Sequence, residues 1–532
     1  MSAPSNRPAD AGAEPHAPRR ASRPLRLVVV GGGISGLAAA RLATARAGAA
    51  DIAVTVLEAG ERPGGVIATE RVGDFVVEGG PDSFVVDKPE AVRLAGDLGL
   101  AGDLVSTNAR FRRTLVVRDG ELVPLPEAFQ LMAPGRILPF LASPILSWRG
   151  KLRVMADLVV PRGAPPPDGD ESLASFVRRR LGQEALERIA QPMVGGIYTA
   201  DPETLSLAST MPRFLDLERR HRSLILGLMR EARRAQASGS GAGSGTSGAR
   251  FGLFASLQRG IGSLVEALVD RLPPGSVRTG ARAVSIARTG ASGGEAPWRV
   301  ELADGATLAA DAVVVALPAP RAAELLRAAD PPLADELAGI ACASAAIVNL
   351  AYRRADVPRP LEAFGVVVPD VERRQIVACS FSSVKFAGRA PEDRILLRAF
   401  VGGALRPEPF ALDDAALVAS VRDELRSLLG IAAEPLLTRL HRWPESMPQY
   451  RVGHARRVAR IRERVARLPG IALAGSAYEG VGLSDCVRSG ERAAATVLAD
   501  LGLEGVAETV GRSDRAPASD PSAIATAAEP AA

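Results

Sequence analysis

Apolar residues run along this chain in two rhythms. Near the start an unbroken stretch, "LRLVVV", breaks into glycines and restarts as "ISGLAAARLATARA", with apolar positions at helical spacing. A second stretch, "IAVTVL", follows and ends in an acid. Unbroken apolar runs of this length suit strands buried on both faces. The opening therefore predicts a strand, a turn, a helix from about Ile34, and a second strand of a parallel sheet. Residues 276–288 and 310–318 are expected to join that sheet, and 470–501 reads as strand, glycine-rich loop and long helix. Between them, a block from about 340 to 405 alternates strand-like runs and predicts a separate sheet. "LASFVRRRLGQEALERIAQPMV" carries helical period behind a cap at Ser172. The Ala/Pro/Arg-rich ends, 1–24 and 507–532, predict disordered tails, and the Gly/Ser run 236–249 a linker. The result is an α/β chain. One domain is assembled from discontinuous segments 25–105, 251–330 and 446–506, with a mixed α+β lobe inserted as 106–250 and 331–445.

The turn after the first run indicates the chemistry. Gly31, Gly33 and Gly36 have the G-x-G-x-x-G spacing. The three positions suit a tight turn, close approach of backbone to a pyrophosphate, and close packing of helix on strand. The helix that follows would aim its free N–H groups and positive dipole end at the phosphates. Glu58 comes 22 residues after Gly36, the offset at which an acid takes both hydroxyls of an adenosine ribose. Arg62 and the pair Gly64–Gly65 come next. A second glycine pair beyond the ribose acid suits a longer cofactor and favours FAD over NAD. The scattered strands favour it too, because NAD domains more often keep their βαβ units contiguous. The expectation is a Rossmann-like, two-dinucleotide-binding FAD domain.

Composition narrows the class further. The net charge of +5 comes without any block of basic residues interleaved with aromatics, so nucleic-acid binding is not indicated. The scattered arginines fit an anionic small molecule or an anionic membrane surface. Cys342, Cys379 and Cys486 are far apart, and the four histidines show no ligand spacing. That argues against a disulfide framework, a zinc site or an iron–sulfur site and points to a reducing, cytoplasmic compartment. Arg19-Arg20 precedes an apolar run, as in an export signal, but that run is the nucleotide strand and helix. No apolar stretch reaches the roughly eighteen residues of a membrane span, so at most a peripheral membrane contact is expected.

Four longer motifs are more specific: "FVVEGGPDSFVVDKPE", the block from "FGVVVPDVERR" to "RAFVGG" (364–403), "RWPESMPQYRVGH" (442–454) and "LAGSAYEGVGLSDCVRSGERAA". With the glycine turn they resemble the flavin-dependent protoporphyrinogen/coproporphyrinogen oxidases of haem synthesis, within the monoamine-oxidase-like flavoproteins. The resemblance runs from about 26 to about 501. It implies non-covalent FAD, a tetrapyrrole substrate, hydride transfer to flavin N5, and reoxidation by dioxygen to hydrogen peroxide. It implies no catalytic side chain, since the flavin carries the redox step.

Residue by residue, it implies that Gly31, Gly33 and Gly36 hold the pyrophosphate and Glu58 the ribose. Arg62, Gly64 and Gly65 would contact the phosphates or ribityl chain, and Val284 would meet adenine through its backbone. Gly482, Leu483 and Ser484 would present N–H groups to the pyrimidine end of the flavin, with Trp443 packed nearby. For the substrate, Arg113 would pair with a propionate, with Arg110 and Arg112 as close alternatives. Phe400 would sandwich a pyrrole ring, with Val367 and Ser380 on the opposite wall. Ser380 departs from the leucine common there and makes the slot more polar. Cys486 is expected to be a buried small residue rather than a flavin tether. Protoporphyrinogen IX and coproporphyrinogen III both remain open, with a lean towards the former, and a homodimer is also open. The rival readings are another amine-oxidase-like enzyme, such as a carotenoid desaturase or polyamine oxidase, and a carrier without catalysis like the Rab GDP-dissociation inhibitors.

Overall fold

The apolar runs of the opening stretch become neighbours in one parallel sheet, but their other partners come from far along the chain. In the computed structural model the strands lie in the order Val277–Arg278, Ile52–Leu57, Leu25–Val30, Ala312–Val315 and Ile471–Leu473, all parallel. Residues 23–47, 52–126, 129–130, 132–163, 169–237, 254–289 and 296–503 are described. Nearly all of the two tails, and the Gly/Ser run beyond Ala237, lie outside them. Residues 236 and 237 still belong to the helix Leu224–Ala237.

One face of the parallel sheet is covered by the helices Ile34–Ala47 and Leu483–Asp500, with Leu37, Ala40, Val487 and Ala494 in a shared core. These helices cross closely because Gly490 has no side chain; a Cβ there would lie 2.0 Å from the Ser35 carbonyl oxygen. Trp298 and the helices Ala319–Leu326 and Pro331–Ala338 contribute to the core on the other face.

Two sequence expectations need correction. Of 276–288, only Val277–Arg278 joins the parallel sheet; Ala283–Arg288 pairs antiparallel with Trp298–Leu302 in a separate three-stranded sheet. The exposed and half-buried residues along that strand suit a sheet with one wet face, which the sequence run does not distinguish. The helical stretch 173–194 is also not one helix. Ser172 caps Leu173–Arg180 as expected, but Gly182 adopts φ +95° and ends it, because a Cβ there would meet Arg153 Cγ at 2.4 Å. The chain resumes through a wide π turn, Leu186–Ala190, just before Pro192, which has no N–H to close the ordinary ladder.

The second sheet is larger than the 340–405 block. It has seven strands in the order Leu437–Pro448, Cys342–Arg353, Arg394–Gly402, Ala378–Phe381, Gly365–Val367, Thr114–Arg118 and Glu121–Pro124. Its first strand runs through residues 445 and 446, where the sequence reading put a segment boundary. Cys379, Phe381, Leu397 and Ala399 pack one face against the helix Asp414–Leu429. The other face carries the residues of interest.

Candidate functional site

The carboxyl ends of the parallel strands converge on the glycine turn. Gly31 adopts φ +108°, and a Cβ there would lie 2.4 Å from the Ala316 carbonyl oxygen; at Gly36 it would lie 1.9 Å from that of Gly31. Both positions are closed by protein. Gly33 is different: a Cβ there meets nothing within 4 Å. It also bridges to Gly64 across the turn, so the two glycine motifs form one cradle. Glu58 Oε2 accepts from the Gly32 amide at 2.9 Å and Oε1 from the Gly60 amide at 2.8 Å. A carboxylate has about four acceptor positions, so each oxygen keeps one for a vicinal hydroxyl pair. Open space at Gly33 and spare acceptors on Glu58 fit a dinucleotide.

The remaining cofactor residues behave less uniformly. The Arg62 guanidinium donates to the carbonyls of Ile67, Pro63 and Gly65, so it braces the 62–67 loop that carries the second glycine pair. Val284 sits where the register between Ala283 and Ser285 slips, and it is exposed. A bulge leaves its extra residue unpaired, which frees the Val284 backbone for a ligand. Gly482 is the N-cap of Leu483–Asp500, and no side chain caps this terminus, so its first amides are available. The Ser484 hydroxyl is already committed, donating to the Lys88 carbonyl. Cys486 is buried, and burial pushes its thiol up to about 11. Trp443 Nε1 donates to the Gly79 carbonyl at 2.6 Å and links the second sheet to the "EGG" loop.

The substrate candidates share a sheet face. Phe400 lies opposite Ala378, which lies opposite Val367. Ser380, two residues on from Ala378, therefore points the same way, and Phe400, Val367 and Ser380 are each half-buried. Arg113 opens the strand beside them and is exposed. Arg112 is half-buried with an unpartnered Nε, and Arg110 stacks over Phe111. Among the described residues none of these three guanidiniums has an ion pair.

On this same face, beside the slot residues, lies a buried charge cluster that the sequence reading missed. Arg398 pairs across the sheet with Asn349 and Ser380, donates to the Gly80 carbonyl, and lies 3.3 Å from Asp82. Lys385 Nζ reaches Asp82 at 3.0 Å. Burial opposes ionisation of Asp82, but Lys385 and Arg398 hold its carboxyl well below the ordinary range. Arg398 also lies 4.6 Å over the Phe400 ring, so the 78–82 loop and the slot aromatic share one cation. Gly79 and Gly80 are obligatory here; a Cβ would strike the His441 ring or the Val66 carbonyl.

Residues 34–498 match the family described as flavin containing amine oxidoreductase. The chain belongs to that family. Within reach of it, the chain is 39% identical to a coproporphyrinogen III oxidase of Propionibacterium freudenreichii, over 89% of this chain and 90% of the relative. It is 35% identical to the coproporphyrinogen III oxidase of Bacillus subtilis, over 89% and 98% respectively. A crystal structure assigned as a protoporphyrinogen oxidase from Exiguobacterium sp. 255-15 superposes with a TM-score of 0.78 at 33% identity, covering 91% of this chain and 99% of that one. The protein is therefore an FAD-dependent oxidoreductase with an α/β flavoprotein fold.

Family membership gives meaning to the loop that closes the cradle. Tyr450 stacks on His454 at 4.0 Å, and its hydroxyl donates to Ser476 and accepts from Gly480, bracing the 475–482 glycine loop. Burial, with Arg457 adding to it against Tyr478 and Asp170, pulls His454 down to about 4. The folded protein thus holds His454 neutral, while the unfolded chain takes up its proton near pH 6.5. Its contribution is complete above that value and is lost as pH falls towards about 4. The wild type is expected to lose roughly 3 kcal/mol over this window that His454→Phe retains. Thermal melts of both proteins at neutral and acid pH measure it.

Proposed function

We propose that this enzyme oxidises a porphyrinogen to the porphyrin in haem biosynthesis, acting on the CH–CH bonds of its substrate with dioxygen as acceptor. FAD held by the glycine cradle would supply the two-electron chemistry, as an acceptor for substrate hydride with dioxygen as the final oxidant and hydrogen peroxide as its product. The observation that carries the reading is the slot face: Phe400 and Val367 in register on either side of Ala378, Ser380 two residues along, and beside them three arginines that form no ion pair among the described residues, in a chain whose relatives are named as porphyrinogen oxidases. The inserted lobe, 106–250 with 331–445, supplies this face and is the substrate lobe.

Phe400, held flat by Arg398, stacks on a pyrrole, and Val367 and Ser380 line the slot from the same sheet face as Phe400, not from an opposite wall. Arg113 meets an incoming propionate at the rim, where a guanidinium gives two parallel hydrogen bonds. Gly31, Gly33, Gly36 and Glu58 grip the adenosine diphosphate, Gly64 and Gly65 the adjoining chain, and the Val284 backbone the adenine. The N–H groups of Gly482, Leu483 and Ser484, at a helix start that no side chain caps, would face the cofactor end that gains negative charge. No side chain here has to carry the proton or the electrons.

Aerobic turnover of FAD-loaded protein with coproporphyrinogen III and protoporphyrinogen IX in parallel, read by porphyrin fluorescence and peroxide, tests the reading. We expect coproporphyrinogen III to be preferred, reversing the lean of the sequence, because several unpaired arginines at one rim suit a substrate with more carboxylates. Turnover of neither, with flavin bound and reducible by another donor, would return the choice to the desaturase or amine-oxidase relatives. Arg113→Ala is expected to raise KM about tenfold with kcat little changed, because a propionate grip acts on ground and transition states alike. An unchanged KM there, with a rise in Arg112→Ala, would move the role one residue back.

A further inference from the structure

The glycine loop that closes the cradle is folded round a buried carboxylate. Asp485 is the third residue of the helix Leu483–Asp500, and its side chain is only 3% exposed. Gly480 adopts φ +146°, and a Cβ there would lie 2.4 Å from Asp485 Cγ; from Gly482 a Cβ would lie 3.1 Å from Asp485 Oδ2. An acid in the first turn favours a helix, because it offsets the positive end of the dipole. At this helix the same offset works against the chemistry. It cancels the positive field that negative charge on a reduced cofactor needs.

A residue from far along the chain restores that field. Lys88, at the start of the helix Pro89–Asp97, donates through Nζ to Asp485 Oδ2 at 2.6 Å. Arg488 donates to the other oxygen, but it is shared, donating also to Glu90 at 2.7 Å. Two cations and two acids therefore meet here, and this cluster is neutral only while Lys88 is part of it. The Ser484 hydroxyl donates to the Lys88 carbonyl at 2.9 Å and accepts from the Ala91 amide at 3.3 Å. That pins the two helix starts together and fixes where the lysine stands. Lys88 is half-exposed, so the pair adds little to stability. Asp485 is out of water, however, and a charge there is screened little from the backbone packed on it.

We propose that Lys88 is a positioning residue for charge: by neutralising Asp485 it keeps the start of Leu483–Asp500 positive towards FAD and so makes the bound cofactor easier to reduce. The lysine acts through Asp485 and the helix start rather than by touching substrate. The proposal rests on placing the N–H groups of Gly482, Leu483 and Ser484 at the end of the cofactor that gains negative charge.

The test is the midpoint potential of the FAD-loaded full-length protein, titrated without oxygen against reference dyes at one neutral pH. Lys88→Met is expected to lower the ratio of reduced to oxidised FAD about tenfold at a fixed potential, which is a midpoint about 30 mV more negative. Asp485→Asn is expected to raise that ratio by about the same factor, because the lysine is then unopposed. Lys88→Arg, which keeps the charge, and the double variant Lys88→Met, Asp485→Asn should both stay within about twofold of wild type. A shift in Asp485→Asn with none in Lys88→Met overturns the proposal and makes Arg488 the neutralising group, while the helix start keeps its place at the cofactor. No shift in either variant overturns the placement of Gly482, Leu483 and Ser484 as well. A fall in Lys88→Met that the double variant does not reverse also overturns it, since the lysine would then act on FAD without Asp485.

Discussion

Gly33→Val is expected to fold and fail to hold FAD, whereas Gly36→Val is expected not to fold properly at all. The two residues are three apart in one motif, yet a Cβ at Gly36 lies 1.9 Å from a backbone oxygen and one at Gly33 meets nothing within 4 Å. Gly33 also lies outside the left-handed region, so valine strains no backbone there. The space it would fill is the space a pyrophosphate needs. We expect at least about a hundredfold weaker FAD binding, about 3 kcal/mol, with little change in the melting temperature of the apoprotein. For Gly36→Val the backbone itself must move, at a cost of about 3 kcal/mol or more. Flavin absorbance after desalting, FAD titration and apoprotein melts separate the cases. Stoichiometric flavin in Gly33→Val would sink the cradle assignment.

Asp82→Asn should be among the most destabilising single changes that preserve shape. It removes the carboxylate facing both Lys385 and Arg398 and leaves two cations in a buried site. Breaking a buried pair from one side costs about 3–5 kcal/mol. Because the folded protein depresses the Asp82 carboxyl, the stability it contributes is present above the ordinary carboxylate range and is lost as pH falls below it. Denaturant unfolding should therefore show a wild type that weakens in acid more steeply than the variant. Arg398 also lies over Phe400, so the variant's substrate slot should loosen and KM should rise. An Asp82→Asn protein as stable as wild type at neutral pH would show that the cations are compensated some other way.

What could be read from sequence follows from how local each feature is. The glycine turn, Glu58 and the closing helix announce themselves within a few residues, because steric demand and hydrogen-bond reach act over one turn of chain. The sheet face shared by Phe400, Val367 and Ser380 came through family resemblance; strand alternation then accounts for it. The Asp82–Arg398 and Asp82–Lys385 pairs join residues about 300 apart, and neither stretch carries a periodic signal of the other. The doublet Gly79–Gly80 was the available hint, since adjacent glycines after a strand imply crowding. Tyr450 and His454 lie within the motif "RWPESMPQYRVGH", but their stacking depends on where the 475–482 loop returns, which no local pattern signals. Gly182 shows that helical periodicity can survive a break when both pieces bury the same side.

The parallel sheet also bears on how the protein is made. Its central strand, Leu25–Val30, has on one side Ala312–Val315, which in turn needs Ile471–Leu473, while the helix Leu483–Asp500 covers the opening helix. During synthesis the first strand of the nucleotide cradle thus leaves the ribosome long before the segments that complete the sheet. The early strand and helix must wait, apolar and half-covered, for some 450 residues of later chain. Assembly of such a sheet is expected to be slow and chaperone-dependent, and a nascent chain arrested before the final helix should capture no flavin.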